Sequence, residues 1–193
     1  MSGKRRGTPA GGHGGPKGRR PTGERSGEQA SGPSWVVGFV LRLLAGWALA
    51  IGALTLVPGI EHRAVAGTVA SVDGVLRAAT LRPETSGATI RLGDNALIII
   101  PECTPVMPVL MLTIAMAAYP APLRWKLAGI GAGIVALWVF NVVRMLALFA
   151  TLAWWPQSFK FMHVYLWQTI TLLAVCGLFL AWLKYTPPAE ART

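Results

Sequence analysis

The chain has 193 residues, 53% of them hydrophobic and 13% charged, with a formal net charge of +10 and a mean hydropathy of +0.49. A soluble domain carries about 25% charged residues, and here the apolar residues gather into long blocks divided by short polar joins; the composition excludes an ordinary soluble domain and points to an all-α integral membrane protein. The placement of the charge argues against nucleic acid as a partner: seven of the eighteen basic residues (Lys4, Arg5, Arg6, Lys17, Arg19, Arg20, Arg25) stand in a Gly/Pro/Ser-rich leader, where they read as an anchor to the lipid bilayer and a topology signal.

That leader, 1–34, has too few apolar residues to offset the entropy of ordering and is predicted to be disordered. The first transmembrane helix is expected over 35–57, with Arg42 near enough to its start to snorkel back to the headgroups. Residues 58–96 are the one sizeable polar stretch. Short runs alternate and turn, Val69-Ala70-Ser71-Val72 before Asp73-Gly74 and later Thr89-Ile90-Arg91-Leu92 before Gly93-Asp94; Asp-Gly between such runs is a hairpin signal, and the stretch is expected to form a small β-rich extracytoplasmic insert.

Three further transmembrane helices make up a core over 97–183. The second span, about Leu97 to Tyr119, is crowded by Pro101, Pro105 and Pro108. This predicts an extended lead-in, Thr104 as N-cap and Pro105 at the first helical position. A short join, Pro120 to Lys126, carries Arg124 and Lys126. The third span follows from about Leu127 to Ala153, an interfacial loop from Trp154 to Met162, and the fourth span from about His163 to Leu183, ahead of the tail 184–193. The positive-inside bias places leader, join and tail in the cytoplasm, and the insert and the 154–162 loop outside. The expectation is four spans in the inner (cytoplasmic) membrane, both termini cytoplasmic.

On that topology Cys103 opens the second span and His163 the fourth, on one face of the membrane. Arg144 lies 18 residues after Lys126, roughly 27 Å along the axis, and so falls in the outer half of the third span. Asn141, three residues earlier, shares its face. Burying an arginine in such an apolar helix costs on the order of 2.5–3.5 kcal/mol; the plainer accounts are outward snorkelling or bonds to backbone carbonyls. Cys103 alone reads equally as a small hydrophobe, but it precedes a helix N-terminus, where the dipole favours a thiolate. Its only sequence partner, Cys176, is thirteen residues into the fourth span, roughly 20 Å away in depth, and reads as packing. His163, beside Phe161 and Tyr165, reads also as an interfacial residue. Glu102 would orient Arg144 or His163, or simply be solvated, and Glu61 and His62 compete for a base role. The chain carries no P-loop, zinc spacing, paired-Cys motif or Ser-centred elbow, so no cofactor or metal is expected.

Pro101-Glu102-Cys103-Thr104 before an apolar helix, Asn141-Val142-Val143-Arg144 inside the next and His163 opening the last resemble the exosortase/archaeosortase family, membrane transpeptidase-like enzymes that use a Cys, an Arg and a His. The likeness covers roughly residues 65–183 and is nearest to the compact exosortases, such as the type designated H. The chain departs from better-known members in having four expected spans rather than a larger bundle, and Cys-Thr-Pro where many have Cys-Ser-Gly. The resemblance implies Cys103, Arg144 and His163 as catalytic residues, supported by Asn141 and Glu102. It further implies membrane-tethered protein substrates bearing a C-terminal motif, a helix and a basic tail, cut on the outer face and passed to an acceptor. Glycines 129, 131 and 133 would allow a substrate helix close approach, or serve internal packing. Two rival readings remain from the residues: a non-enzymatic subunit of an export or polysaccharide-assembly system, with Arg144 and Glu102 as an intramembrane pair, and a small transporter.

Overall fold

The computed structural model describes residues 34–57 and 59–187. The basic leader and the last residues of the tail, and with them the expected anchor and topology signal, lie outside the described residues. The chain runs α1 (Ser34–Leu56), α2 (Ile60–Ala78), β1 (Glu84–Ser86), β2 (Thr89–Leu92), β3 (Asn95–Ile98), α3 (Val106–Ala118), α4 (Leu123–Trp154), a one-turn α5 (Phe159–Phe161) and α6 (Trp167–Tyr185).

Among the described residues, three helical segments are long and apolar enough to cross a membrane: Val36–Leu56, Leu123–Trp154 and the run Pro156–Tyr185 that joins α5 to α6. The second expected span, about Leu97 to Tyr119, is different. Its helix, α3, has 13 residues, or about 20 Å, against the roughly 30 Å of a hydrocarbon core. Proline sets this limit. Pro105 has no N–H and holds Thr104 extended, at φ −92° and ψ 160°, so the chain before it forms a 3₁₀ turn, Pro101–Cys103. Thr104 is not the N-cap the sequence suggested: its hydroxyl donates back to the Pro101 carbonyl at 2.7 Å, and helix bonding starts from the Pro105 carbonyl, which accepts from Val109 N–H at 2.9 Å. Pro108 is tolerated because it falls in the first turn, where an N–H has no intrahelical partner.

The hairpin expected at Asp73-Gly74 is not formed; those residues lie inside α2. Val65, Thr68, Val69, Val72 and Leu76 are buried, a spacing of three and four that only a helix turns to one side. The run around Val69–Val72 is short enough to fit either period, and the longer stripe decides. Asp73 is held by its neighbour one turn on: Arg77 Nε donates to its carboxylate at 2.7 Å and Thr85 Oγ1 at 2.7 Å, and these bonds hold the carboxyl below its usual range. The helix ends with Thr80 in the left-handed region at φ 64°; Thr80 N–H bonds the Arg77 carbonyl at 2.9 Å and Leu81 N–H the Leu76 carbonyl at 3.0 Å, the pairing of a Schellman cap.

The turn expected at Gly93-Asp94 is present and closes a hairpin. β2 and β3 pair antiparallel with Leu92 opposite Asn95, and Gly93 supplies the positive φ of 59° that the two-residue turn requires. β1 completes a three-stranded sheet in the order β1-β2-β3. One face of this sheet, through Ile90, Leu97 and Ile99, joins the α2 stripe and Met145, Leu148 and Phe149 of α4 in a single core that also contains Cys103. A second core, at the other end of the bundle, packs Leu112 and Met116 of α3 against Leu137 of α4 and Val175 and Trp182 of α6.

Two of the three glycines of α4 are explained by that second core. A Cβ on Gly133 would meet Leu112 Cδ2 at 2.5 Å, and one on Gly129 would collide with the Trp182 indole, whereas Gly131 faces open space. The Trp182 ring is itself pinned, Nε1–H to the Trp125 carbonyl at 2.9 Å, so it cannot swing aside without losing a bond. Gly129→Ala is therefore expected to destabilise by about 1–3 kcal/mol through overpacking, while Gly131→Ala is neutral or gains up to about 1 kcal/mol from helix propensity. Thermal melting of both variants in detergent checks this; equal shifts would show that the close approach at Trp182 does not constrain the bundle.

Candidate active site

The 3₁₀ turn that opens α3 starts at exposed Pro101 and Glu102 and ends in the interior at Cys103 and Thr104. Cys103 and Thr104 are 4% and 3% exposed, so their backbone groups need internal partners. Cys103 N–H donates to Ile100 O at 2.8 Å and Thr104 N–H to Pro101 O at 3.0 Å. The Cys103 carbonyl accepts from the side-chain amide of Asn141, on α4, at 2.9 Å. Asn141 thus fastens the cysteine turn to the long helix.

Arg144, one turn beyond Asn141 on the same face of α4, is 4% exposed, and its Nε has no hydrogen-bond partner among the described residues. It lies close enough to both Cys103 and His163 for their charges to interact. His163 sits in a π-helical turn, Met162–Leu166, between α5 and α6. Its ring stacks on Phe159, centroids 5.8 Å apart and planes 8° from parallel, and its Nδ1 is buried without a partner among the described residues. Single π turns in otherwise α-helical runs recur at functional positions because they re-aim a side chain. The interfacial loop expected over Trp154 to Met162 is instead nearly all short helical turns leading into this one.

A cavity of about 400 Å³ opens between the cysteine turn, α3, α4 and α6. Arg144 lines it, together with Glu102 and Thr104 on either side of Cys103, Met107 and Met111 of α3, and Gln168, Thr171 and Leu172 of α6. Cys103 itself lies behind this wall, within the core formed with α2 and the sheet. Glu102 is exposed on the wall and forms no ion pair with Arg144; the ion pair present among the described residues is Asp73–Arg77. Glu61 shares a smaller recess of about 80 Å³ with Glu102, whereas His62 does not line it.

The structure bonds Asn141 to the Cys103 carbonyl, sets Arg144 near Cys103 and near His163, and leaves Glu102 at the margin. Gln168 and Thr171 were not foreseen. Their signal was present, since polar residues three apart in an apolar helix share a face, but Thr171 satisfies its own hydroxyl by donating to the Trp167 carbonyl at 2.6 Å, as threonines do in purely structural helices. Cys176 is not packing: it is free and exposed on α6.

Protein-family models, curated proteins and solved structures were all compared with the chain, and none matches.

Proposed function

We propose that this chain is a membrane cysteine transpeptidase or protease that cleaves C-terminal sorting signals of exported proteins at the outer face of the inner membrane. The observation that carries the reading is Arg144: a guanidinium 4% exposed, with Nε unpartnered among the described residues, on the wall of a cavity and within charge range of a thiol and an imidazole. A buried polar group left unmade costs about 1–3 kcal/mol, and a charged one more. A site that tolerates this is arranged for an acceptor that arrives with substrate, and the acceptor such chemistry supplies is a carbonyl oxygen becoming an oxyanion.

The reaction follows from the residues. Cys103, its proton taken by His163, attacks the scissile carbonyl carbon; the C–S bond forms and the oxygen takes up the negative charge opposite Arg144. The C–N bond then breaks, His163 returns the proton to the leaving amine, and a thioester remains on Cys103. An acceptor amine or water attacks the thioester and regenerates the thiol. Asn141 holds the Cys103 carbonyl throughout, so that the nucleophile is carried on an immobile turn. In this reading α3 and the turn that precedes it together complete a fourth crossing. Both termini are cytoplasmic, and the substrate's own helix lies against the α3 and α6 walls, where Met107 and Leu172 are each half exposed.

The test is mass spectrometry of C-terminal peptides from host membrane and surface proteins, with and without expression of this chain. Proteins ending in a motif, an apolar helix and a basic tail are expected to lose that tail only when the chain is present. Identical termini in both strains would leave a non-enzymatic membrane subunit as the better reading.

A further inference from the structure

The outer edge of β3 has no part in the proposed chemistry. The sheet order β1-β2-β3 leaves β1 and β3 with one neighbour each. The two edges differ. β1 is three exposed polar residues, Glu84–Ser86, tied to α2 through Thr85 and Asp73 at 2.7 Å and through the Arg77 bond to the Pro83 carbonyl at 3.2 Å. A short polar edge of this kind is the usual guard against pairing. β3 carries no such guard: Ile98 is 63% exposed, Ile100 is 43% exposed, and nothing charged stands between Asn95 and Pro101.

Register shows which backbone groups that edge offers. Leu92 opposite Asn95 closes the two-residue turn, and Ile99 N–H donates to the Ala88 carbonyl at 2.8 Å. In an antiparallel pair the residues alternate, so Asn95, Leu97 and Ile99 turn their backbone groups to β2. Ala96, Ile98 and Ile100 turn theirs outward. The Ile100 carbonyl is taken by Cys103 N–H at 2.8 Å. Among the described residues the N–H and C=O of Ala96 and Ile98 and the N–H of Ile100 have no backbone partner. The same chain passes from Ile100 directly into the turn that holds Cys103.

We infer that the free edge of β3 is the substrate-docking strand: the extended segment of a substrate just before its membrane helix adds to β3 as a fourth strand and is led to Cys103. The inference rests on the proposed function and names how that site takes its peptide. Its occupant is fixed by continuity and direction. β3 leads through the cysteine turn into α3, strand first and apolar helix after. A substrate whose cleavage segment precedes its own membrane helix follows the same course, so the two strands run parallel, Ile98 supplying an N–H and a C=O to the partner at the centre. Recognition by main-chain bonds fixes an extended conformation, and side-chain pockets then choose the motif.

Ile98→Pro is the direct test. It removes an outward N–H that makes no ladder bond, and proline is tolerated at such edge positions. Ile98→Thr keeps the N–H and the β-branched shape while changing the apolar side chain, and Ala96→Pro is a second removal of an outward donor should the first variant fail to fold. The probe is the set of host proteins whose C-terminal peptides change when Cys103→Ala replaces wild type, quantified at matched membrane abundance. Ile98→Pro or Ala96→Pro is expected to lower processing at least tenfold, with Ile98→Thr within about twofold of wild type. Wild-type processing in a folded proline variant, with Cys103→Ala inactive, overturns this inference alone. Loss in Ile98→Thr equal to that in the proline variants overturns it in favour of a side-chain contact. Conversion of a dimer to a monomer with processing intact overturns it in favour of a second copy on the edge. Processing retained in Cys103→Ala overturns the function and the docking strand together.

Discussion

Replacing Cys103 by alanine is expected to leave a folded, inserted protein that processes no substrate, a loss of at least about 10⁴-fold in turnover. Two physical points separate this from a general loss of structure. The substitution removes one sulfur atom from a site 4% exposed, which costs about 1 kcal/mol of packing, and it leaves untouched the carbonyl that Asn141 holds at 2.9 Å. The turn is therefore expected to persist without the thiol. Cys103→Ser is expected to fail nearly as badly, because a hydroxyl is far less acidic than a thiol and His163 alone does not ionise it. The readout is the fraction of C-terminal tails removed from host proteins, alongside melting temperature in detergent. Near-wild-type processing in the alanine variant would exclude Cys103 as the nucleophile and return the chain to a structural role. A contrasting variant sharpens this: Asn141→Leu leaves the Cys103 carbonyl buried and unpaired, at about 1–3 kcal/mol, so it should lower stability and activity together, where Cys103→Ala lowers activity alone.

The parts of this arrangement that were legible in the sequence are those written by local rules. Charge and apolar block length located α1, α4 and the run into α6. Gly93 announced the β2–β3 turn because no other residue type takes its backbone angle as readily. Counting along the helix from Lys126 put Arg144 at the depth of Cys103. Where two local rules conflicted, the sequence was ambiguous and tertiary contact decided. Asp73-Gly74 carries a turn signal, yet Val65 through Leu76 can bury a continuous stripe against the sheet and α4 only as a helix, and the stripe prevails. Pro101, Pro105 and Pro108 marked irregular backbone before α3 but not its extent, since how far a helix is shortened depends on whether its freed carbonyls find partners. Here they find Thr104 and Asn141, and no reading of residues 97–119 alone reveals a donor 38 positions away. The cavity wall on α6 was hidden for the same reason: Gln168 and Thr171 acquire meaning only once Arg144 is seen across from them.

Arg144→Lys, the substitution most conservative in charge, is expected to lower turnover by about 10²–10³-fold, close to the loss in Arg144→Met. The argument is geometric. An oxyanion donor in a buried site contributes about 3–4 kcal/mol to the transition state, and only a donor already aimed at the developing charge delivers it. The guanidinium is planar, with donors in a fixed fork, and Arg144 lines the cavity with a buried Nε that has no partner among the described residues; in the proposed reaction that fork is the donor the oxyanion meets. An ammonium on a shorter, freely rotating stem keeps the charge but not the aim, and is more strongly hydrated, which raises the cost of holding it at 4% exposure. Because the lost interaction belongs to the transition state, turnover should fall with little change in the concentration of substrate needed for half-maximal rate. The competing account, in which Arg144 only props the bundle through its charge, makes the opposite prediction: lysine restores function that methionine lacks. Processing assays on the two variants at matched abundance decide between them, and lysine at half the wild-type rate or better would remove Arg144 from the chemistry.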